Sequence, residues 1–128
     1  MTTTDSVEAI RRYGVHAKQY LANGLVALQN AEAGKAGELL WGSVAEALQA
    51  VAAYSNIPVK SHRDLKNFAI QLARQLNDQT IEKNFIMAES LHHNFYDVQQ
   101  EPIDIMLVVP SVQELLAKLF SLIPPEAG

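Results

Sequence analysis

The chain has 128 residues, 48% of them hydrophobic and 19% charged, a balance that supports a single folded domain over residues 1–128 and excludes disorder. Ten Lys and Arg against fourteen Asp and Glu leave a net charge of −4, which excludes an extended surface for a phosphate backbone. Cysteine is absent, which removes disulfides, thiolate metal sites and cysteine nucleophiles.

The N-terminal residues lack a basic start followed by an apolar run, and no segment approaches the roughly 18 uninterrupted apolar residues of a membrane span. A soluble, cytoplasmic protein without membrane contact is expected. Asp5 and Glu8 stand at capping-box spacing and predict the start of a first helix. Val7, Ile10, Ala17, Leu21, Leu25 and Leu28 then keep near-helical spacing, with Gly34 as the expected left-handed terminator. Gly14 and Gly24 interrupt this helix, as close-packing points or as a kink.

The stretch GELLWGSVAEALQAVAAYS, residues 37–55, is apolar over a wide arc. Leu40, Val44, Ala47, Leu48 and Val51 form one stripe, with Trp41 beside it, so this helix is expected at the centre of the fold. The short connection before it predicts an antiparallel pair with the first helix. SNIPVK ends the pattern, with Asn56 as a left-handed cap and Pro58 as a breaker. Ser61 and Asp64 open a third helix with Leu65, Phe68, Ala69, Leu72, Ala73 and Leu76 on one face.

After a turn at Asn77 and Asp78, Thr80 is the expected cap of a fourth helix that carries Ile81, Phe85, Ala88, Leu91 and Phe95 inward. Residues 99–110 hold two prolines and a short apolar run, which reads either as a strand-like crossing or as a short helix between breaks. Ser111 with Glu114 is the expected cap of a last helix through Val112, Leu115, Leu116, Leu119, Phe120 and Ile123. The fold class is therefore all-α: an antiparallel up-and-down bundle of four principal helices plus a C-terminal helix.

Chemistry-bearing side chains concentrate in ESLHHNFYD, residues 89–97. On a helical wheel His92 falls with Phe85, Ala88 and Phe95, as a hydrogen-bonded core histidine or a functional one, while His93 shares another side with Glu89 and Asp97 as a surface charge cluster. Glu89 and His92 also have the Glu-x-x-His spacing of di-metal bundle sites, but the second copy such a site requires is missing, so no metal and no cofactor are expected. SHRDL places His62 and Arg63 at a helix start that can receive an anion, against the simpler reading of a capped terminus. Trp41 is a candidate stacking ring, against the simpler reading of a core side chain. Glu46 lies on the polar side of the same helix.

The segments GELLWGSVAEALQAVA, SHRDL and AESLHHNFYD, in that order, resemble the landmarks of the paREP family, small helical proteins grouped with the HEPN superfamily. The resemblance covers roughly residues 15–123. It implies an antiparallel helical bundle that pairs with a second copy of itself. Many HEPN proteins are ribonucleases, or toxins with a nucleotidyltransferase-type protein partner, and others have no activity. Active members carry an Arg and, four to six residues on, a His in a late helix. Here Arg11 and His16 have that spacing in the first helix, whereas the late helix has His92 and His93 with Arg74 too far back.

The expected function is accordingly a non-catalytic HEPN-like binding or assembly module, associated with nucleotide or RNA. The alternative is a metal-independent ribonuclease or toxin component whose site forms at a dimer interface from His92, Asn94, Tyr96 and Glu46. Trp41, His62 and Arg63 are the ligand-binding candidates.

Overall fold

Among the described residues five helices make up the regular structure: α1 (Thr4–Gln29), α2 (Ala33–Tyr54), α3 (His62–Gln75), α4 (Gln79–Asp97) and α5 (Pro102–Ser121). The computed structural model describes residues 4–97 and 101–125, and the side chains of residues 6–92 and 101–125; among these there is no strand. The capping role expected of Asp5 and the inward role of Phe95 lie outside the described side chains. No described helix is long and apolar enough to cross a membrane.

The first three helices end in the same way. Ala31, Asn56 and Asn77 each take the left-handed conformation, with φ of 59°, 58° and 51°. The next amide in each case turns back to a carbonyl of the last helical turn: Glu32 to Ala27, Ile57 to Ala52 and Asp78 to Ala73, all at 2.9 Å. This pairing satisfies carbonyls that the helix end would otherwise orphan. Asn56 caps its helix as its sequence position predicts. Gly34 does not: it lies inside the first turn of α2, because the chain turns as soon as the apolar stripe of α1 runs out at Leu28, three residues before Ala31.

α2 is the hub, packing against all four other helices. Its stripe Leu40, Val44, Ala47, Leu48 and Val51 is fully buried, as the wide apolar arc requires. α1 lies along it, with Tyr20 against Gly42 and Gly24 against Leu39 and Leu40. Gly24 is a close-packing point, since a Cβ there would stand 3.1 Å from the Leu40 side chain, and α1 is continuous through it. Gln49 ties down the α2–α3 link by donating from Nε2 to the Val59 carbonyl at 3.2 Å.

α4 and α5 pack together through polar ties as well as apolar ones. Asn84 Nδ2 donates to Glu114 Oε2 at 3.2 Å, and Lys118 Nζ donates to Asp78 Oδ2 at 2.8 Å and to the Thr80 hydroxyl. The cap of α4 is therefore Asp78 and not Thr80: the carboxylate accepts from the Thr80 amide at 3.1 Å, which places Thr80 inside the helix.

The open segment 99–110 resolves over its described part into helix. α5 starts at Pro102, a first-turn position where the missing N–H costs nothing, with Asp104 accepting from the Glu101 amide at 3.0 Å. It then continues through Pro110, so Ser111 is an interior residue and not the expected cap. Ile105, Val108, Val112, Leu115 and Leu119 form one buried stripe across the proline. Burying these side chains, at roughly 1.5–3 kcal/mol each, outweighs the about 3 kcal/mol that an interior proline costs. Leu76, expected inside, is exposed because it stands at the C-terminal cap of α3, where the apolar face has ended.

Candidate functional site

Three helices bring their rings together where α2, α3 and α4 meet. Trp41 of α2 is only 7% exposed, held edge-on by Phe85 of α4 with centroids 5.6 Å apart. That placement fits the core reading of the tryptophan. Its other ring neighbours are imidazoles: His62 of α3 at 5.3 Å and His92 of α4 at 5.8 Å, the latter stacked. The two imidazoles stack on each other at 5.9 Å, 23° from parallel.

Local sequence fixes each ring. Ser61 Oγ accepts from the Asp64 amide, and Asp64 Oδ2 accepts from the Lys60 amide, both at 3.0 Å. The start of α3 is thereby pinned, with His62 as its first residue. The helix start is a capped terminus, as the simpler reading has it, and it also aims an imidazole. His92 sits three residues after Glu89 and Trp41 three after Glu38, so each ring shares a helix face with an acid.

Those acids brace the histidines from across the helix boundaries. His62 Nε2 lies 2.6 Å from Glu89 Oε2, and His92 Nδ1 lies 3.3 Å from Glu38 Oε1. Glu89 is itself 7% exposed, with Lys66 Nζ 3.8 Å from its other oxygen. A carboxylate on one ring nitrogen selects the tautomer: in the neutral rings, Nδ1 of His62 and Nε2 of His92 become the acceptors. The arrangement offers one nearly buried indole, two half-exposed imidazoles of fixed orientation and a lysine at its margin. It is built to stack and to hydrogen-bond. Among the described residues no group of three or more histidines, cysteines or carboxylates is placed to hold a metal ion.

Of the residues singled out in the sequence, Trp41, His62 and His92 converge. Arg63 is exposed at the next helical position, about 100° around from His62. The side chains of His93, Asn94 and Tyr96 lie outside the described residues. Glu46 is elsewhere, on the α1 side of α2, where its Oε2 stands 3.9 Å from His16 Nδ1 and His16 stacks on Tyr20 at 6.1 Å. Burial pushes the Glu46 carboxyl above its ordinary value, against the opposing pull of His16 and Arg12. Arg11 lines with Lys18 and Phe120 a cavity of about 210 Å³, whereas His16 stands beside Glu46 and Tyr20.

Glu38 and Lys66 belong to the cluster without being singled out by the sequence, and Glu89, read there as part of a metal motif and of a surface charge cluster, instead braces His62. The available signal for Glu89 is its i,i+3 relation to His92, which places it on the ring-bearing face of α4. Glu38 has the same relation to Trp41, and Lys66 the i,i+4 relation to His62.

No curated protein and no solved structure matches the chain. The family model of the archaeal PaREP1/PaREP8 family matches residues 6–116, nearly the whole length. On that match the chain belongs to the archaeal PaREP1/PaREP8 family.

Proposed function

We propose that the chain is a non-catalytic, HEPN-like binding or assembly module of the cytoplasm: an antiparallel up-and-down bundle in which α5 joins four principal helices and which pairs with a second copy. A nucleotidyltransferase-type protein is the further partner that the superfamily resemblance implies. The observation that carries this reading is the His62–Trp41–His92 ring stack, each imidazole braced by a glutamate. Flat rings with oriented donors and acceptors suit a nucleobase, which stacks and hydrogen-bonds at its edge. Cleaving a phosphodiester requires, in addition, a cation against the phosphate, whereas Glu38 sets a carboxylate beside His92 and the Lys66 ammonium at the margin is turned to Glu89.

Trp41 is the single tryptophan of the chain and reports directly on this site. Titration with AMP and with a short single-stranded RNA should change its fluorescence in a saturable way, and His62→Ala or His92→Ala should abolish the response. An unchanged signal with both ligands in the wild-type chain overturns nucleotide binding here.

A second reading has one observation in its favour. Two imidazoles 5.9 Å apart, each oriented by a carboxylate, are equipped to serve as general base and general acid in attack by a ribose hydroxyl. This is the ribonuclease alternative, with Asn94, Tyr96 and Glu46 as its further candidates at a dimer interface. Incubation with labelled RNA separates the two readings. Cleavage by the wild-type chain that disappears in His92→Ala establishes the enzyme and removes the non-catalytic module.

A further inference from the structure

We infer that two copies of this chain pair through the exposed apolar face formed by the C-terminal half of α1 and the N-terminal half of α5, whose first turn carries one charge, Asp104. The inference rests on the self-association proposed above and says where it occurs. Ile103, Met106 and Leu107 are 57%, 52% and 70% exposed, and together with exposed Pro110 they follow the i, i+3, i+4, i+7 spacing of a single helix stripe. The opposite stripe of α5, Ile105, Val108 and Val112, is buried in the core. This half of α5 is thus apolar on both sides, a pattern that belongs to a helix covered on both sides.

α1 extends the same surface. Leu25, Leu28 and Gln29 line with Met106, Val109 and Pro110 a groove of about 410 Å³, and Val26 beside them is 53% exposed. Two adjoining helices, each about 20 Å long here and about 10 Å wide, present roughly 400 Å² in projection. That is about half of the roughly 800 Å² per partner in a standard interface, leaving the remainder to a polar margin.

Charge selects the occupant. Residues 19–31, QYLANGLVALQNA, and residues 105–113, IMLVVPSVQ, contain no charged side chain, in a chain whose net charge is −4. In a two-fold contact the same patch faces itself and charges near the axis meet their own mates, so an acidic protein avoids that repulsion where the patch carries few charges. The other exposed apolar pair, Ile86 and Met87 on α4, adjoins a cavity rimmed by Arg74, Glu82 and Lys83 and lacks this property.

Sedimentation velocity of the full chain from about 1 to about 100 μM tests the assignment. The wild type should be dimeric. Met106→Glu combined with Leu107→Glu should weaken the dimer about tenfold or more, and Val26→Glu, from the other helix, should do the same. Substitution at these exposed positions should leave the helical circular dichroism intact, and Val26→Glu keeps the test valid if the α5 variant fails to fold. Ile86→Glu with Met87→Glu should leave the dimer unchanged. A monomeric wild type overturns self-association and this inference together, whatever other protein the face then accepts. A dimer indifferent to Val26→Glu and to the α5 pair, or one broken by the α4 pair, overturns only the location.

Discussion

Ala31 holds the left-handed conformation at the end of α1, where an L-residue with a Cβ is strained by roughly 1–2 kcal/mol and glycine is not. Its side chain is exposed, so Ala31→Gly removes the strain without opening a cavity. Glycine returns part of that gain through its freer unfolded chain, and the net stabilisation should be about 0.5–1 kcal/mol by urea unfolding. A loss of stability would mean that the chain does not turn at residue 31. This position was illegible in the sequence because nothing about alanine announces a left-handed cap, whereas Asn56 did so through its tolerance of that region. The candidate site divides in a similar way. Residue type alone marked Trp41, His62 and His92, but their bracing partners lie 27 residues away for His62 and 54 for His92, a distance that local spacing cannot read.

At the level of helices, apolar periodicity located α2, α3 and the buried stripe of α4, because a single face carries the burial and local spacing is all that is needed. Pro110 misled for the converse reason. A helix-breaking residue states a local preference, and the buried stripe that overrides it depends on how α5 seats against α2 and α4. Glycines give the cleanest test of helix spacing. A Cβ at Gly24 would meet Leu40 at 3.1 Å and the Leu39 Cβ at 3.3 Å, while at Gly14 the nearest atom is Phe120 Cε1 at 4.0 Å. Both glycines cost helix propensity, so alanine gains about 1 kcal/mol at either site before packing is counted. Leu40 is fully buried and cannot withdraw, so overpacking of about 1–3 kcal/mol should reverse the sign at residue 24. Gly24→Ala should therefore lower stability by about 1 kcal/mol, and Gly14→Ala should raise it by about 0.5–1 kcal/mol. Equal stabilisation by both would separate α1 from α2 by more than the packing described.

Over the whole molecule, titration couples the two sides of the fold with opposite signs. The Lys118 hydrogen bond, then that of Thr80, holds the Asp78 carboxyl below its ordinary 3.8. Its contribution is present above pH 3.8 and is lost as pH falls through the lowered folded value. Lys118 is raised above 10.5 chiefly by the same bond, so its contribution is complete below pH 10.5 and is lost as pH rises through the folded value. Glu46 acts in the opposite sense to Asp78. Burial raises its carboxyl above 4.5, so the folded chain binds the extra proton, and stability falls as pH climbs from 4.5 through the raised folded value. Its Oε2 is buried without a hydrogen-bond partner, which makes the ionised form the costly one. Lowering the pH through the raised folded value of Glu46 towards 4.5 should thus strengthen the fold, before the loss of the Asp78–Lys118 tie weakens it below 3.8. Glu46→Gln, which cannot ionise, should be more stable than the wild type at pH 7 by roughly 1 kcal/mol and should flatten the rise in stability as pH falls towards 4.5. Asp78→Asn keeps a capping side chain but should blunt the acid loss below pH 3.8. Chemical denaturation of the three proteins at matched pH separates these contributions. A Glu46→Gln variant that follows the wild-type pH curve throughout would place that carboxylate in water and end its claim to be the strained group of the α1–α2 face.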